Sequence, residues 1–333
     1  MDKKQIAGLV AAAVVFVFVC SSSVLAGNLA STQQHKAPAL NGFMSSLEEV
    51  SFELPTSPYV GIVSVEGTIM ASSSSSSLFP TEGYDHNRTM KLLDSLEKSP
   101  NNKGILLYVN SPGGSVYESD ELYQRLLEYK ENTGRPIWTY MGSMACSGGY
   151  YIAMASDKVI ANRNSWTGSI GVIVSLSNYK ELMDKLGIKT ILFTSGRNKA
   201  MGNGGIDMTE EQAEIMQSLV DEPYEQFVGI VAQGRNMDAT KVKPLADGRI
   251  YTAKQALDAG LIDGVEGYDD ALSQFEEAIG EQVEFYAPTN TMLAFSSLFS
   301  AAERFTRTEA DQLKELMNIQ ESGVPMYYAI LGE

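Results

Sequence analysis

Histidine is nearly absent from this sequence, which has only two in 333 residues. His35 lies in a polar segment that we interpret as a tether, and His86 lies in the polar stretch YDHNR, which is typical of an exposed surface loop. A serine or cysteine nucleophile with histidine as its base is therefore disfavoured. No cluster of His, Cys and carboxylate residues has the spacing of metal ligands, and we expect neither a metal nor a cofactor.

Cysteine and basic residues are also scarce. Two cysteines are too few for a framework of disulfides. Lysine and arginine together number 25 against 41 acidic residues, which gives a formal net charge of −16. Because no basic patch with interleaved aromatic residues is present, we expect no nucleic-acid partner. The excess of acidic residues predicts a soluble, mutually repelling surface.

An apolar run at the N-terminus predicts a membrane anchor. Residues 1–5 contain Lys3 and Lys4, and the apolar run occupies residues 6–26. A helix needs about 20 residues to cross the hydrocarbon core. The lysines precede the run, so we predict that 1–5 is cytoplasmic and that the rest of the chain lies outside the cytoplasm, tethered to the cell membrane by a single span. The length of the run favours a retained anchor, and a cleaved signal peptide is the alternative.

The remaining chain divides into a polar tether (27–55), a central domain (56–290), and a C-terminal helical segment and apolar tail (291–333). In the central domain, apolar strand patterns alternate with amphipathic helix patterns, which predicts an α/β fold with parallel strands and crossover helices. Thr209 and Gln212 match a capping box. The predicted strands are 59–69, 103–114, 136–144, 189–196 and 281–288, and the predicted helices include 87–99, 116–134, 177–187 and 208–235.

The stretch GSMACSGGYYIAMASD contains the first candidate catalytic residue, Ser147. Ser147 precedes two glycines where a strand pattern changes to a helix pattern, so it is either an exposed nucleophile on a sharp turn or a helix cap. The amide of Gly148 would lie at the helix N-terminus, where the helix dipole favours negative charge. Cys146 is the rival nucleophile, but we interpret it as a small buried apolar residue.

Two further segments complete a possible site. NSPGGS (110–115) ends a strand, and its glycines either form a simple tight turn or present amides that stabilise an oxyanion. Lys199 lies in the glycine-rich segment SGRNKAMGNGG and is either a solvated surface residue or a general base. Since no histidine is well placed, a Ser–Lys dyad is the preferred hypothesis.

Four segments, in this order, resemble the signal peptide peptidase SppA family: MACSGGYYIAMASDKVIAN, TGSIGVI, SGRNKAMG and ADGRIYTAKQALDAGLID. The short, single-domain, membrane-anchored form of Gram-positive bacteria is the most similar. The resemblance implies a crotonase-like fold related to the Clp protease subunit. It also implies that Ser147 is the nucleophile, Lys199 the general base, Ser169 the residue that orients the lysine, and Gly114 and Gly148 the oxyanion-hole residues.

The same resemblance implies a function and an assembly. The expected activity is that of a membrane-anchored serine endopeptidase that degrades remnant signal peptides. The expected assembly is a homo-octamer in which neighbouring subunits share active sites. Two other functions are considered: an acyl-CoA enzyme with the same fold, and a non-catalytic membrane scaffold. The N-terminal span argues against the first, and the presence of both Ser147 and Lys199 argues against the second.

Overall fold

The computed structural model describes residues 52–71 and 83–288, together with the backbone of residues 326–328. Its main sheet has eight strands, in the order β7-β6-β4-β2-β1-β9, with β5 paired to β4 and β8 paired to β5. The described strands are β1 (Tyr59–Glu66), β2 (Asn102–Ser111), β3 (Gly113–Ser115), β4 (Ile137–Cys146), β5 (Lys158–Ala161), β6 (Trp166–Gly168), β7 (Ile250–Thr252), β8 (Gly264–Val265), β9 (Glu284–Tyr286) and β10 (Met326–Tyr328).

Helices cover both faces of the central strands. The described helices are α1 (His86–Lys98), α2 (Val116–Thr133), α3 (Gly148–Ala153), α4 (Lys180–Lys185), α5 (Glu210–Gly234), α6 (Ala239–Val242), α7 (Ala253–Asp258) and α8 (Tyr268–Ile279). Successive side chains of a strand point to opposite faces. Leu107 of β2 accordingly packs in the large cluster with α1 and α2, whereas Leu106 packs with Phe275 of α8.

The central strands are parallel, as predicted. Val63 of β1 pairs with Leu107 of β2, which pairs in turn with Thr139 of β4. The sheet is mixed rather than wholly parallel, because β6 and β7 are antiparallel. Strand β4 changes partner along its length, pairing with β5 through Trp138–Met141 and with β6 through Met144–Cys146. This second pairing brings β6 alongside the last residues of β4, immediately before Ser147.

Residues 174–208, which we call the arm, differ from the sequence prediction. The strand predicted at 189–196 is wrong, and the helix predicted at 177–187 is reduced to α4. A strand needs a pairing partner, and in the part of the chain that the structure describes no other strand lies beside 189–196. Phe193 is 97% exposed and Ile191 is 74% exposed. The apolar pattern of this segment therefore does not reflect burial within the single chain.

The long helix α5 follows the prediction closely. It begins after Thr209, whose side chain and that of Gln212 form the predicted capping box, and it continues through Pro223 to Gly234. Among the residues described, no helix is both long and apolar enough to cross a membrane. The predicted anchor (6–26), residues 1–5, most of the tether (27–55) and most of the segment 291–333 lie outside the described residues.

Candidate active site

Ser147 occupies a strained turn between β4 and α3. Its backbone angles are φ 52° and ψ −116°, a conformation that costs energy for any residue except glycine. The turn is held on both sides, because the Ser147 N–H donates to the Gly168 carbonyl at 2.7 Å and its carbonyl accepts from the Tyr151 N–H at 2.8 Å. The Ser147 hydroxyl is buried, caps no helix amide, and has no hydrogen-bond partner among the described residues. This arrangement suits a nucleophile better than a cap.

Cys146, the rival nucleophile, faces the core, as predicted from its interpretation as a small buried apolar residue. Its side chain is fully buried. Burial raises the pKa of the Cys146 thiol to about 12, because the thiolate loses its solvation. A thiol that stays protonated at neutral pH is a poor nucleophile.

The structure brings the two predicted oxyanion glycines together beside Ser147. A Cβ atom on Gly148 would lie 3.2 Å from the amide nitrogen of Gly114, and 2.5 Å from the hydroxyl of Ser119. A Cβ atom on Gly114 would overlap the backbone of Ile69. Gly114 therefore has no room for a side chain and Gly148 has very little, which favours an oxyanion-binding role over an incidental tight turn.

Strand β3 presents the amide of Gly114 along one edge. Ile69 lies on the other edge, where its N–H donates to Gly113 at 2.9 Å and its carbonyl accepts from Ser115 at 2.8 Å. Since backbone groups alternate along a strand, the N–H of Gly114 points away from Ile69. The edge towards which it points is occupied by β10, antiparallel, with Tyr327 opposite Gly114. This edge of the site thus accepts an extended peptide segment, here from the C-terminal tail of the same chain.

Ser169 lies near the nucleophile, whereas Lys199 makes no described hydrogen bond to it. Ser169 follows Gly168, the residue that holds the Ser147 amide, and has a positive φ of 50°. Its N–H donates to the carbonyl of Arg249 at 2.7 Å. Lys199 lies on the arm with an exposed side chain, and no described hydrogen bond joins it to Ser147 or Ser169. Within one chain, the described contacts therefore group Ser147, Ser169, Gly114 and Gly148, and none of them joins Lys199 to this group.

His86 is buried, which corrects the prediction of an exposed loop residue. It is the first residue of α1 and is 5% exposed. Its Nδ1 lies 2.6 Å from the Tyr84 hydroxyl, and its Nε2 lies 2.7 Å from a carboxylate oxygen of Glu121. Both ring nitrogens are therefore occupied, and no described hydrogen bond connects His86 with Ser147. The expectation that histidine is not the base is compatible with this geometry.

A polar network that the sequence did not predict ties three helices together behind the nucleophile. The Tyr151 hydroxyl, one helical turn after Ser147, donates to Asp120 of α2 at 2.6 Å. The side-chain amide of Gln226 on α5 donates to Tyr151 at 2.7 Å and to Asp120 at 3.0 Å. Hydrogen bonds between residues so far apart in sequence have no local pattern that could have predicted them.

Comparison with known proteins indicates which peptidases this chain resembles. Residues 129–282 match the model of peptidase family S49, and residues 79–169 match that of Clp protease. The chain is also 42% identical, over 215 residues, to an Enterococcus faecium protein provisionally named signal peptide peptidase SppA. The chain is similar to the SppA family of serine peptidases. The S49 match spans Ser147, Ser169 and Lys199, and the Clp protease match spans Gly114 and Gly148.

Two other relatives are less similar. Protease 4 of Haemophilus influenzae is 28% identical over 254 residues, which are 74% of this chain and 40% of that protein. The chloroplastic serine protease SPPA of Arabidopsis thaliana is 31% identical over 180 residues, which are 54% of this chain and 26% of that protein. The alignment with the E. faecium protein covers 65% of this chain and 62% of that protein. The chain thus spans about three fifths or less of the length of these relatives.

Proposed function

We propose that this chain is a serine endopeptidase of the SppA family in which Ser147 is the nucleophile and Lys199 the general base. The observation that carries the proposal is the Ser147 hydroxyl, which is held in a strained turn, next to the glycines at 114 and 148, with no hydrogen-bond partner among the described residues. Strain at a buried polar residue persists only when the surroundings enforce it, and it is concentrated at functional sites. A residue with a purely structural role would be expected to use its hydroxyl.

In the proposed reaction, the Ser147 oxygen attacks the carbonyl carbon of a peptide bond, and its proton passes to the neutral amine of Lys199. The negative charge that develops on the carbonyl oxygen is stabilised by the amides of Gly114 and Gly148, and losing one such donor typically costs ~10²–10³ in rate. The protonated lysine then gives its proton to the leaving amine. Water, activated by the same lysine, releases the acyl group from Ser147. Ser169 is proposed to orient the lysine.

The position of Lys199 supports a site that is shared between subunits. One chain holds the nucleophile without a base and carries the base on an exposed arm. The arm also exposes apolar side chains that a soluble monomer would be expected to cover, including those of Leu182, Leu186, Ile191 and Phe193. A neighbouring copy that covers the arm would receive Lys199 near its own Ser147. A ring closes such head-to-tail contacts, and we propose the octamer implied by the family resemblance.

The edge of β3 suggests how the substrate binds. An extended peptide that takes the place of β10 gains backbone hydrogen bonds from β3 without regard to its sequence. Remnant signal peptides are apolar and lack a folded structure that would prevent this pairing. We therefore propose signal peptides as substrates, with the catalytic domain held at the outer face of the cell membrane by the anchor at 6–26.

The pH dependence of cleavage tests the base. Only the neutral amine of Lys199 can accept a proton, so the rate should rise from neutral to mildly alkaline pH. Replacing Lys199 with alanine should abolish cleavage of a synthetic signal peptide, and Ser169→Ala should weaken cleavage to a smaller extent. The measurement is kcat/KM for the three proteins across this pH range. A flat profile for the wild type, or an active Lys199→Ala variant, would contradict the assignment of the base.

The tail supplies a separate prediction. Because β10 lies where a substrate strand is expected, the tail VPMYYAILGE should be cleaved by the protein itself. Mass spectrometry over several days should show shortening at the C-terminus of the purified wild type and an intact C-terminus in Ser147→Ala. Identical, intact masses for the two proteins would mean that β10 is only a packed strand.

A further inference from the structure

The turn that carries Lys199 is closed by short-range backbone hydrogen bonds, which do not fix where it lies against the rest of the chain. The N–H of Lys199 donates to the Gly196 carbonyl at 3.1 Å and closes one turn. The N–H of Met201 donates to the Asn198 carbonyl at 3.1 Å and closes the next turn. The side chain of Lys199 is exposed. A base must be held within a fraction of an ångström of its working position, since a misplacement of about 1 Å can cost 10²-fold in rate. Residues outside the turn must therefore fix it.

Gln212, in the first turn of α5, contacts the turn directly. The amide nitrogen of its side chain donates to the Arg197 carbonyl at 3.3 Å and to the side-chain oxygen of Asn198 at 3.4 Å. The side-chain oxygen of Gln212 accepts the Thr209 N–H at 3.1 Å, which is its role in the capping box. One buried side chain thus joins the helix start to the two residues that precede Lys199.

A second capping box in the same chain shows that a cap does not require the hydrogen bonds that the Gln212 side-chain nitrogen donates to Arg197 and Asn198. At the start of α7, Gln255 and Thr252 form the same box, with the Gln255 oxygen accepting the Thr252 N–H at 3.0 Å. Gln255 is exposed, and its side-chain nitrogen makes no described hydrogen bond. Gln212, by contrast, is only 6% exposed. The buried amide nitrogen is the feature that distinguishes the box beside the base.

A second described contact between α5 and the turn is an exposed ion pair, which is a weaker type of interaction. Arg197 forms an ion pair with Glu211, but its side chain is 78% exposed. Exposed ion pairs contribute little, because solvent and salt screen them. The Gln212 side chain is buried, so its hydrogen bonds are less exposed to water than the ion pair and hold the turn more firmly.

We infer that Gln212 is a positioning residue for Lys199, and that its side-chain N–H group sets the position of the base through Arg197 and Asn198. The inference rests on the proposed role of Lys199 as base. Gln212 itself touches no reacting atom. Its amide oxygen stabilises the helix, and its amide nitrogen orients the catalytic turn, so the two roles can be separated by substitution.

The separating substitution is Gln212→Glu. Glutamate is the other residue that completes a capping box, so the cap on Thr209 remains. The donor to Arg197 and Asn198 is replaced by a carboxylate oxygen that repels both acceptors. The matched control is Gln255→Glu, the same change in the box at α7. A second control is Thr209→Val, which removes the hydroxyl from the box at α5 and leaves the Gln212 amide in place.

The experiment measures kcat and KM for a synthetic signal peptide across pH, together with the melting temperature, on the assembled full-length protein. For Gln212→Glu we expect kcat to fall about 10- to 100-fold with KM within twofold, because the peptide is bound by β3 and not by this turn. The rise of the rate with pH should also move to higher pH, since a nearby carboxylate favours the protonated lysine. Gln255→Glu should match the wild type in kcat, KM and pH profile. Thr209→Val should have a lower melting temperature but an unchanged pH profile.

Two results would overturn the inference. The first is a Gln212→Glu variant with the same kcat and pH profile as Gln255→Glu. The second is a Gln212→Glu variant that loses activity but has the same pH profile, and the same decrease in melting temperature, as Thr209→Val. Failure of the proposed function looks different. In that case Lys199→Ala would retain activity, whatever the behaviour of Gln212→Glu. An inactive Lys199→Ala with an unaffected Gln212→Glu rejects the positioning role alone.

Discussion

Replacing Ser147 with alanine should reduce cleavage of a synthetic signal peptide by ~10⁴-fold or more, because the reaction loses its only nucleophile. Folding should be unaffected or slightly favoured, since the substitution removes a buried hydroxyl that has no partner among the described residues. The measurement is peptide cleavage together with the melting temperature. Loss of activity with full stability would separate a catalytic role from a structural one.

The matched control is Cys146→Ser, which changes the neighbouring residue. Because the Cys146 side chain is buried in the core, a hydroxyl there should lower the free energy of unfolding by about 1–3 kcal/mol and leave most of the activity. Cys146→Ala provides the same test without a buried hydroxyl. If Ser147→Ala kept its activity while both Cys146 variants lost theirs, the thiol would be the nucleophile and the proposal would be wrong.

Mixing two inactive variants should restore activity if neighbouring subunits share the site. A Ser147→Ala chain retains its lysine, and a Lys199→Ala chain retains its serine. In a head-to-tail ring assembled at random from equal amounts, about a quarter of the junctions would pair an intact Ser147 with an intact Lys199. The mixture, dissociated and reassembled, should therefore reach about a quarter of the wild-type rate.

Two controls establish whether restored activity in the mixture comes from sites shared between subunits. The same two variants mixed without dissociation should stay inactive, and so should either variant carried through the procedure alone. Exchange of subunits must be shown independently, for example by mass spectrometry of differently labelled chains. An inactive mixture after demonstrated exchange would place Ser147 and Lys199 of one chain in the same site, and the arm would then have to fold back onto its own chain.

The sequence was most informative where structure depends on neighbours along the chain. The turn at Ser147 and the capping box of Thr209 and Gln212 are set by a few adjacent residues, and both were predicted. The prediction of a strand at 189–196 was wrong because its apolar pattern matches that of a buried strand, and only the tertiary structure shows that no strand of the described residues lies beside it. The burial of His86 was missed because Glu121, its partner, lies 35 residues away.

For the candidate site, too, only features that depend on neighbouring residues could be predicted from the sequence pattern. The pairing of Gly114 with Gly148 came from a resemblance, since no local rule brings two glycines of different turns together. The exposure of Lys199 could not be predicted from its glycine-rich surroundings, which suit a buried base and a surface loop equally. Gln212 was recognised as a cap, but its second role depends on the fold of the arm.

Helix α5 connects two places that would belong to different active sites in a ring with shared sites. Near its start, Gln212 holds the turn of Lys199, which would act on the neighbour's substrate, and fourteen residues later Gln226 bonds to Tyr151, behind the chain's own nucleophile. At 1.5 Å per residue these points are about 21 Å apart along one helix, which contains Pro223 between them. A substrate that displaced the nucleophile helix in one site would thereby shift the base of the next. Cleavage would then depend on substrate concentration in a sigmoidal manner, as successive sites around the ring fill cooperatively.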